Sequence, residues 1–258
     1  MRAVGLVLLG TVLAGCRLGF EPLAGNGSGD GGVLDVGPDV LTVGCTPTML
    51  ICDSFETGVS PAVWQAATFA GTAALVSSRP HRGTNSVHLS TNTISTPTTD
   101  PHAALLTVPG IIPGTELGKL YARGWFYIAS PHSTVEFDQL LNFYDTGGLG
   151  IALGTRNGTL ITNDYTSPVY LESATAALPL DRWACLVLVV ASGTTATTRI
   201  YVDDVEVTDL AAAKTSPQPP ATRFEIGLTW VGNVMSLAAT EMWIDDVIVD
   251  TAPVSCVQ

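Results

Sequence analysis

Glu136, Asp138, Asn142 and Tyr144 fall at even spacings within 134–144, and Arg123, Trp125 and Tyr127 do the same within 119–129. Successive side chains of an extended strand alternate between faces, so each set shares one side of its strand. Val135, Phe137, Leu141 and Phe143 take the opposite side of the first stretch. Ala122, Gly124, Phe126 and Ile128 do so in the second. Arg223, Glu225 and Thr229 likewise oppose Phe224, Ile226, Leu228 and Trp230. Aromatic rings stack on sugar rings, and carboxylate, amide and guanidinium groups bind hydroxyls. The simplest assembly gathers the polar and aromatic sets on one concave surface. It predicts a ligand face of Arg123, Trp125, Tyr127, Glu136, Asp138, Asn142 and Tyr144 that recognises carbohydrate. Trp125 and Tyr127 fit ordinary half-buried sheet positions equally well.

Proton-transfer chemistry has few candidates. His81, His88, His102 and His132 are scattered, and only His132, close in sequence to Tyr127 and Arg123, is a base worth testing for a lyase. No Ser-His-Asp elbow, phosphate loop or metal-hydrolase motif is present. Formal net charge is −12, with lysine only at 119 and 214. A chain without a phosphate-neutralising surface is not a nucleic-acid binder, and its folded part does not suit an anionic membrane.

The elements that position these residues begin after an export signal. Met1-Arg2 is a short basic region and Val4–Leu13 an apolar run too short to span a bilayer, so 1–15 reads as a signal peptide. Leu13-Ala14-Gly15-Cys16 resembles a bacterial lipoprotein box, which implies cleavage before Cys16 and lipidation of its thiol. Arg17, where an aspartate would favour inner-membrane retention, points to the outer membrane or cell surface. Residues 16–44 then form a lipidated, glycine-rich tether that includes Gly25-Asn26-Gly27-Ser28-Gly29-Asp30-Gly31-Gly32.

An exported chain with Cys45, Cys52, Cys185 and Cys256 is expected to form two disulfides. The preferred pairing is Cys45 with Cys52, a local loop, and Cys185 with Cys256, a long-range tie. Cys52 with Cys256 is the main rival. From about Thr48 the chain turns to short runs rich in Val, Ile, Thr and aromatics between Gly, Pro, Asn and Ser turns, the pattern of an all-β sandwich. About fourteen strands are readable, among them 49–56, 66–77, 119–129, 134–144, 183–191, 223–231 and 241–250. Asn157-Gly158 predicts a type I′ hairpin turn, and Asp203-Asp204 a second turn. Ala211–Lys214 offers one helical turn at most.

Asp181-Arg182-Trp183, the following strand, Gly193 and Arg199-Ile200-Tyr201-Val202-Asp203-Asp204-Val205 resemble the core of a concanavalin A-like, laminin-G-like jelly roll. Asp204 departs from the glycine usual at that turn. Asp53-Ser54-Phe55-Glu56-Thr57-Gly58, Trp64, Arg82-Gly83-Thr84-Asn85-Ser86-Val87 and Trp243-Ile244-Asp245-Asp246-Val247 extend the likeness over roughly 49–256. It implies a two-sheet antiparallel sandwich filling 45–258, with the first and last strands adjacent. It also implies a structural calcium ion held by Glu56, the Gly83 carbonyl and Asp245, hard oxygen donors from distant stretches. The same carboxylates also suit solvent or backbone hydrogen bonds at strand ends. Strand alternation puts Asp246 on the face opposite Asp245. Laminarinase-type enzymes of related fold carry a third acid after a Glu-x-Asp pair, and Glu136-Phe137-Asp138 has none following.

These residues predict a surface-anchored lipoprotein whose jelly roll binds carbohydrate or a surface protein without catalysis. Its contact with the membrane is through the lipid anchor alone. The alternatives are a polysaccharide lyase or glycoside hydrolase of the same fold, and a structural envelope protein.

Overall fold

The computed structural model describes residues 46, 48–93, 102–114, 118–129, 138–166, 169–191, 197–213, 219–231 and 239–257. Cys16, Cys45, His132, Glu136 and the tether lie outside them, so the expectations placed there have no structural counterpart. Among the described residues the chain is all-β, with one 3-10 turn at Thr208–Leu210 and no helix long and apolar enough to cross a membrane.

The strands are β1 (Ile51–Asp53), β2 (Trp64–Phe69), β3 (Gly71–Val76), β4 (Ser86–Thr91), β5 (His102–Thr107), β6 (Lys119–Ile128), β7 (Asp138–Tyr144) and β8 (Gly150–Arg156). They continue as β9 (Thr159–Asp164), β10 (Val169–Ala177), β11 (Trp183–Ala191), β12 (Thr197–Val202), β13 (Val205–Glu206), β14 (Ala212–Ala213), β15 (Arg223–Val231) and β16 (Thr240–Asp250). Two antiparallel sheets result. The nine-stranded sheet runs β13-β12-β11-β6-β16-β4-β3, with β1 also on β16 and β14 on β12. The seven-stranded sheet runs β10-β9-β8-β7-β15-β5-β2.

The first and last strands are neighbours as expected, Cys52 opposite Ile248. The single run expected over 66–77 is instead two strands in different sheets. Ala70 (φ 49°) breaks it, sending β2 to the smaller sheet and β3 to the larger. Residues 212–213 pair as β14 rather than making a helical turn.

Inward-facing apolar side chains fill the space between the sheets. Val87, Leu89, Phe126, Leu186, Leu188, Ile244 and Val249 come from one sheet, and Leu105, Leu141, Phe143, Leu153, Phe224 and Ile226 from the other. Burying each such side chain contributes about 1.5–3 kcal/mol, which makes this face-to-face contact the main support of the fold. Both predicted turns form. Asn157 and Gly158 have φ of 51° and 81°, and Asp203 and Asp204 have φ of 50° and 64°. Aspartate tolerates this left-handed backbone better than most residues do, and here each has a task. Asp203 Oδ1 accepts the Cys185 N–H at 2.9 Å, and the Asp204 carboxylate accepts the N–H groups of Cys256 (2.7 Å) and Val257 (3.0 Å).

Candidate functional site

Of the seven residues expected on one ligand face, the six described ones are divided by the sandwich. Arg123, Trp125 and Tyr127 lie on β6 of the larger sheet, whereas Asp138, Asn142 and Tyr144 lie on β7 of the smaller one. Alternation holds along this stretch of β6 but breaks at a bulge in β7, and sheet membership depends on long-range pairing that strand periodicity does not carry.

On the larger sheet the outward residues are covered by the chain itself. Trp183 and Trp243 flank Tyr127 in register, with His88 beyond Trp243. Arg79 places its guanidinium 3.9 Å from the Tyr127 ring centre and 4.7 Å from that of Trp243. His81 stacks on Trp125 with 3.7 Å between centroids. Arg123 is fully buried rather than presented to a ligand. Its Nη1 donates to Ser255 O at 2.8 Å, and its Nε and Nη2 donate to Asp246 O at 3.3 Å. Burial lowers its pKa to about 10, still far above neutrality, so the buried cation binds the C-terminal segment down. The Cys185–Cys256 disulfide ties the same segment, confirming that pairing and excluding Cys52–Cys256. Cys52 is disulfide-bonded as well.

The expected calcium donors converge on the 79–85 loop. The Glu56 carboxylate accepts the N–H groups of Thr84 and Asn85, each at 3.0 Å, and the Thr84 hydroxyl at 2.7 Å. Gly83 (φ +65°) packs against it so closely that a Cβ would lie 2.4 Å from Oε1. Asp245, fully buried, accepts the His81 N–H at 2.9 Å and the Asp246 N–H at 2.8 Å. Burial, then the Asp246 charge, pushes its pKa up to about 7.

Asp246 does not point away from Asp245. A β-bulge between Asp245 and Ile248, with Asp246 at φ 47°, turns both side chains to this loop, and Asp246 Oδ2 meets His81 Nδ1 at 2.7 Å. Among the described residues no three His, Cys, Asp or Glu side chains form a metal-binding group. The Glu56 and Asp245 oxygens are taken up by backbone N–H donors, the use at strand ends that the sequence also allowed.

On the smaller sheet the outward residues Gln139, Asn142 and Glu225 are buried, whereas Tyr165 and Arg223 are partly exposed beside a groove. Gln139, Tyr144, Gly148, Asn163, Tyr165, Arg223, Glu225 and Thr229 line a groove of about 500 Å³. A register shift between Gln139 and Leu141 explains how Gln139 joins Asn142 and Tyr144. Leu140 and Leu141 both enter the core, so Gln139 faces out three residues before Asn142. Asp138, on the other side of this bulge, is buried beside Leu140, Thr155 and Leu178 between the sheets, away from the groove. Gly150 allows β8 to approach β7, since a Cβ there would lie 1.9 Å from Phe143 O. Ala152 keeps the same outward side shallow, and Leu149 is exposed at the β7–β8 turn.

The groove is a hydrogen-bonded lattice. Tyr144 OH donates to Gln139 Oε1 at 2.6 Å, and Gln139 Nε2 donates to Tyr165 OH. Arg223 Nε lies 2.6 Å from Glu225 Oε1, and its guanidinium sits 5.6 Å from the Tyr144 ring centre. Asn142 Nδ2 donates to Glu225 Oε2 at 3.4 Å and to Thr229 Oγ1, while its buried Oδ1 has no partner among the described residues. Burial raises the pKa values of Tyr144 and Glu225. Tyr144 is therefore a neutral hydroxyl at neutral pH.

Glu225 is the sole carboxylate among the described lining residues. Glycoside hydrolysis by the usual route needs two. Alternation placed Arg223, Glu225 and Thr229 on a polar face. Gln139, Asn163 and Tyr165 were missed, because a bulge displaces the first and the other two close a strand whose outward side reads as ordinary turn polarity.

No family model matches the chain, and no curated protein matches it. Among solved structures it is similar to a cellulose-induced protein, Cip1, with TM-score 0.63, 19% identity and coverage of 80% of this chain and 99% of that one. It is also similar to an endo-β-1,4-glucuronan lyase from the fungus Trichoderma reesei, with TM-score 0.58, 15% identity and coverage of 80% and 96%. A third is botulinum neurotoxin type C, whose cell entry depends on interaction with two ganglioside molecules, with TM-score 0.56, 8% identity and coverage of 81% and 49%. At these identities the likeness is one of fold, and it agrees with the strand order and the paired sheets. The chain has the two-sheet antiparallel fold of a jelly-roll sandwich.

Proposed function

We propose that this domain binds carbohydrate in the groove on the outer face of the seven-stranded sheet, without transforming it. The observation that carries this reading is the groove lined by Gln139, Tyr144, Asn163, Tyr165, Arg223, Glu225 and Thr229, rich in hydroxyl-binding groups and holding one carboxylate among its described residues. Structural neighbours named for cellulose induction, glucuronan cleavage and ganglioside interaction support a glycan as the ligand class. A lyase would need a base beside a charge neutraliser. Tyr144, whose phenol is held protonated by burial, is poorly set for that role. Screening the full-length protein on a polysaccharide array tests the reading. Retention that is lost in Tyr144→Phe and Arg223→Gln supports it, and no retention on any glycan overturns it. Release of unsaturated sugars would replace binding with the lyase.

Two further expectations stand as parts of this proposal. Calcium completes the clamp of Glu56, the Gly83 carbonyl and Asp245, supported by these oxygens gathering on one loop; a chelator that leaves the thermal midpoint unchanged removes it. Lipidation of Cys16 anchors the domain at the bacterial outer membrane or cell surface, supported by Leu13-Ala14-Gly15-Cys16 after an apolar run. Fatty-acid labelling that persists in Cys16→Ser would count against it.

A further inference from the structure

We propose that Glu225 makes the groove selective for uncharged sugars by occupying Arg223, the cation that a uronic-acid carboxylate would otherwise take. The proposal rests on the carbohydrate-binding reading of the same groove.

Recognition of a carboxylate in a shallow, wet groove calls for a guanidinium fork or an unpaired cation. Arg223 is the one Lys or Arg among the described lining residues, and its Nε is 2.6 Å from Glu225 Oε1. That contact is an ion pair at Nε without hydrogen-bond alignment, and the half-exposed guanidinium lines the groove. Glu225 is held in place rather than swinging free. Only 8% of its side chain is exposed, against 44% for Arg223, and Asn142 Nδ2 donates to its other oxygen at 3.4 Å. His102 at the start of β5 is a further group whose charge acts on Glu225.

The pair sums to zero charge. The remaining lining groups, Gln139, Tyr144, Asn163, Tyr165 and Thr229, are neutral. An incoming uronate would meet a buried carboxylate and a cation whose charge is already paired, in a chain of net charge −12. A hydroxyl group suffers no such repulsion. It can accept from Arg223 Nη or a phenol and donate to an amide oxygen or to Glu225. Like charges brought together at a binding surface reject a partner more strongly than a lost hydrogen bond does.

The experiment measures binding of the full-length protein to two sets of probes. One set is uncharged: gluco-, xylo- and manno-oligosaccharides. The other is acidic: oligoglucuronate, oligogalacturonate and oligomannuronate. Wild-type protein is expected to bind a member of the first set and none of the second. Glu225→Gln is expected to raise affinity for an acidic oligosaccharide by at least about tenfold, and the double variant Arg223→Gln/Glu225→Gln to lose that gain.

Wild-type preference for the acidic set would overturn the inference and leave carbohydrate binding standing. So would a Glu225→Gln protein that folds but gains nothing. Binding of neither set would remove both. Should Glu225→Gln fail to fold, salt dependence of the wild type decides. Affinity for the uncharged ligand flat with ionic strength supports the inference, and affinity that falls steeply as salt screens an ion pair overturns it.

Discussion

On the nine-stranded sheet, Trp125 lies beneath the His81 ring, Tyr127 and Trp243 lie beneath Arg79, and Arg123 is fully buried below Ser255. On the seven-stranded sheet, Tyr165 is 37% exposed and Tyr144, Gln139 and Arg223 meet a groove. Both outer faces carry aromatics, an arginine and acidic groups at alternating positions. The difference lies in what the neighbouring chain supplies. The 79–85 loop and the C-terminal segment fold over the first face and satisfy its polar groups, with Asp204 and the Cys185–Cys256 bond fastening the segment. On the second, Asn142 and Gln139 are buried as well, but a groove beside Tyr165 and Arg223 reaches the surface. An identical residue type is thus a strut on one face and a groove-lining group on the other.

Variants on the covered face are expected to change stability and leave binding untouched. The largest effect is expected from Cys185→Ser/Cys256→Ser. Opening a tie across 71 residues costs up to about 4 kcal/mol in the chain-entropy account. Urea denaturation checks this, and a loss of glycan retention by the still-folded variant would break the contrast between the faces. Arg123→Met comes next, at roughly 3 kcal/mol, since it strips charged donors from the buried carbonyls of Asp246 and Ser255. The same denaturation series measures it.

The open face should behave in the opposite sense. Tyr165→Ala is expected to weaken glycan binding by roughly 1 kcal/mol through lost stacking area, while stability shifts by no more than about 0.5 kcal/mol. Calorimetric titration beside a thermal melt separates the two. The smallest effect concerns pH. Burial raises the folded-state pKa of Glu225 above its unfolded value. Its favourable contribution is therefore intact below the unfolded value of about 4.3 and lost as pH rises through the raised folded value. The melting temperature of wild type minus that of Glu225→Gln should fall as pH rises across that window. A constant difference would show that Glu225 titrates normally.

Much of the groove's chemistry was legible along single strands. Arg223, Glu225 and Thr229 alternate with Phe224, Ile226 and Leu228, and Asn142 and Tyr144 alternate with Leu141 and Phe143. Three errors arose where alternation fails or stops being informative. Leu140 and Leu141 both face the core at a bulge, which brings Gln139 outward and turns Asp138 inward. Asp245 and Asp246 share a side because a second bulge sits between Asp245 and Ile248. Ala70 ends one strand and sends the next six residues to the other sheet. A bulge is one residue of backbone with unusual dihedrals, and neither aspartate nor leucine announces it.

The sequence by itself determined an all-β chain, most strand positions and both hairpin turns, because side-chain period and turn chemistry are local. Only the tertiary structure decided which sheet each strand joins, and hence that Arg123, Trp125 and Tyr127 are covered while Tyr144, Arg223 and Glu225 face a groove. Antiparallel partners are chosen by the packing of the whole sandwich. No stretch of a dozen residues holds that information.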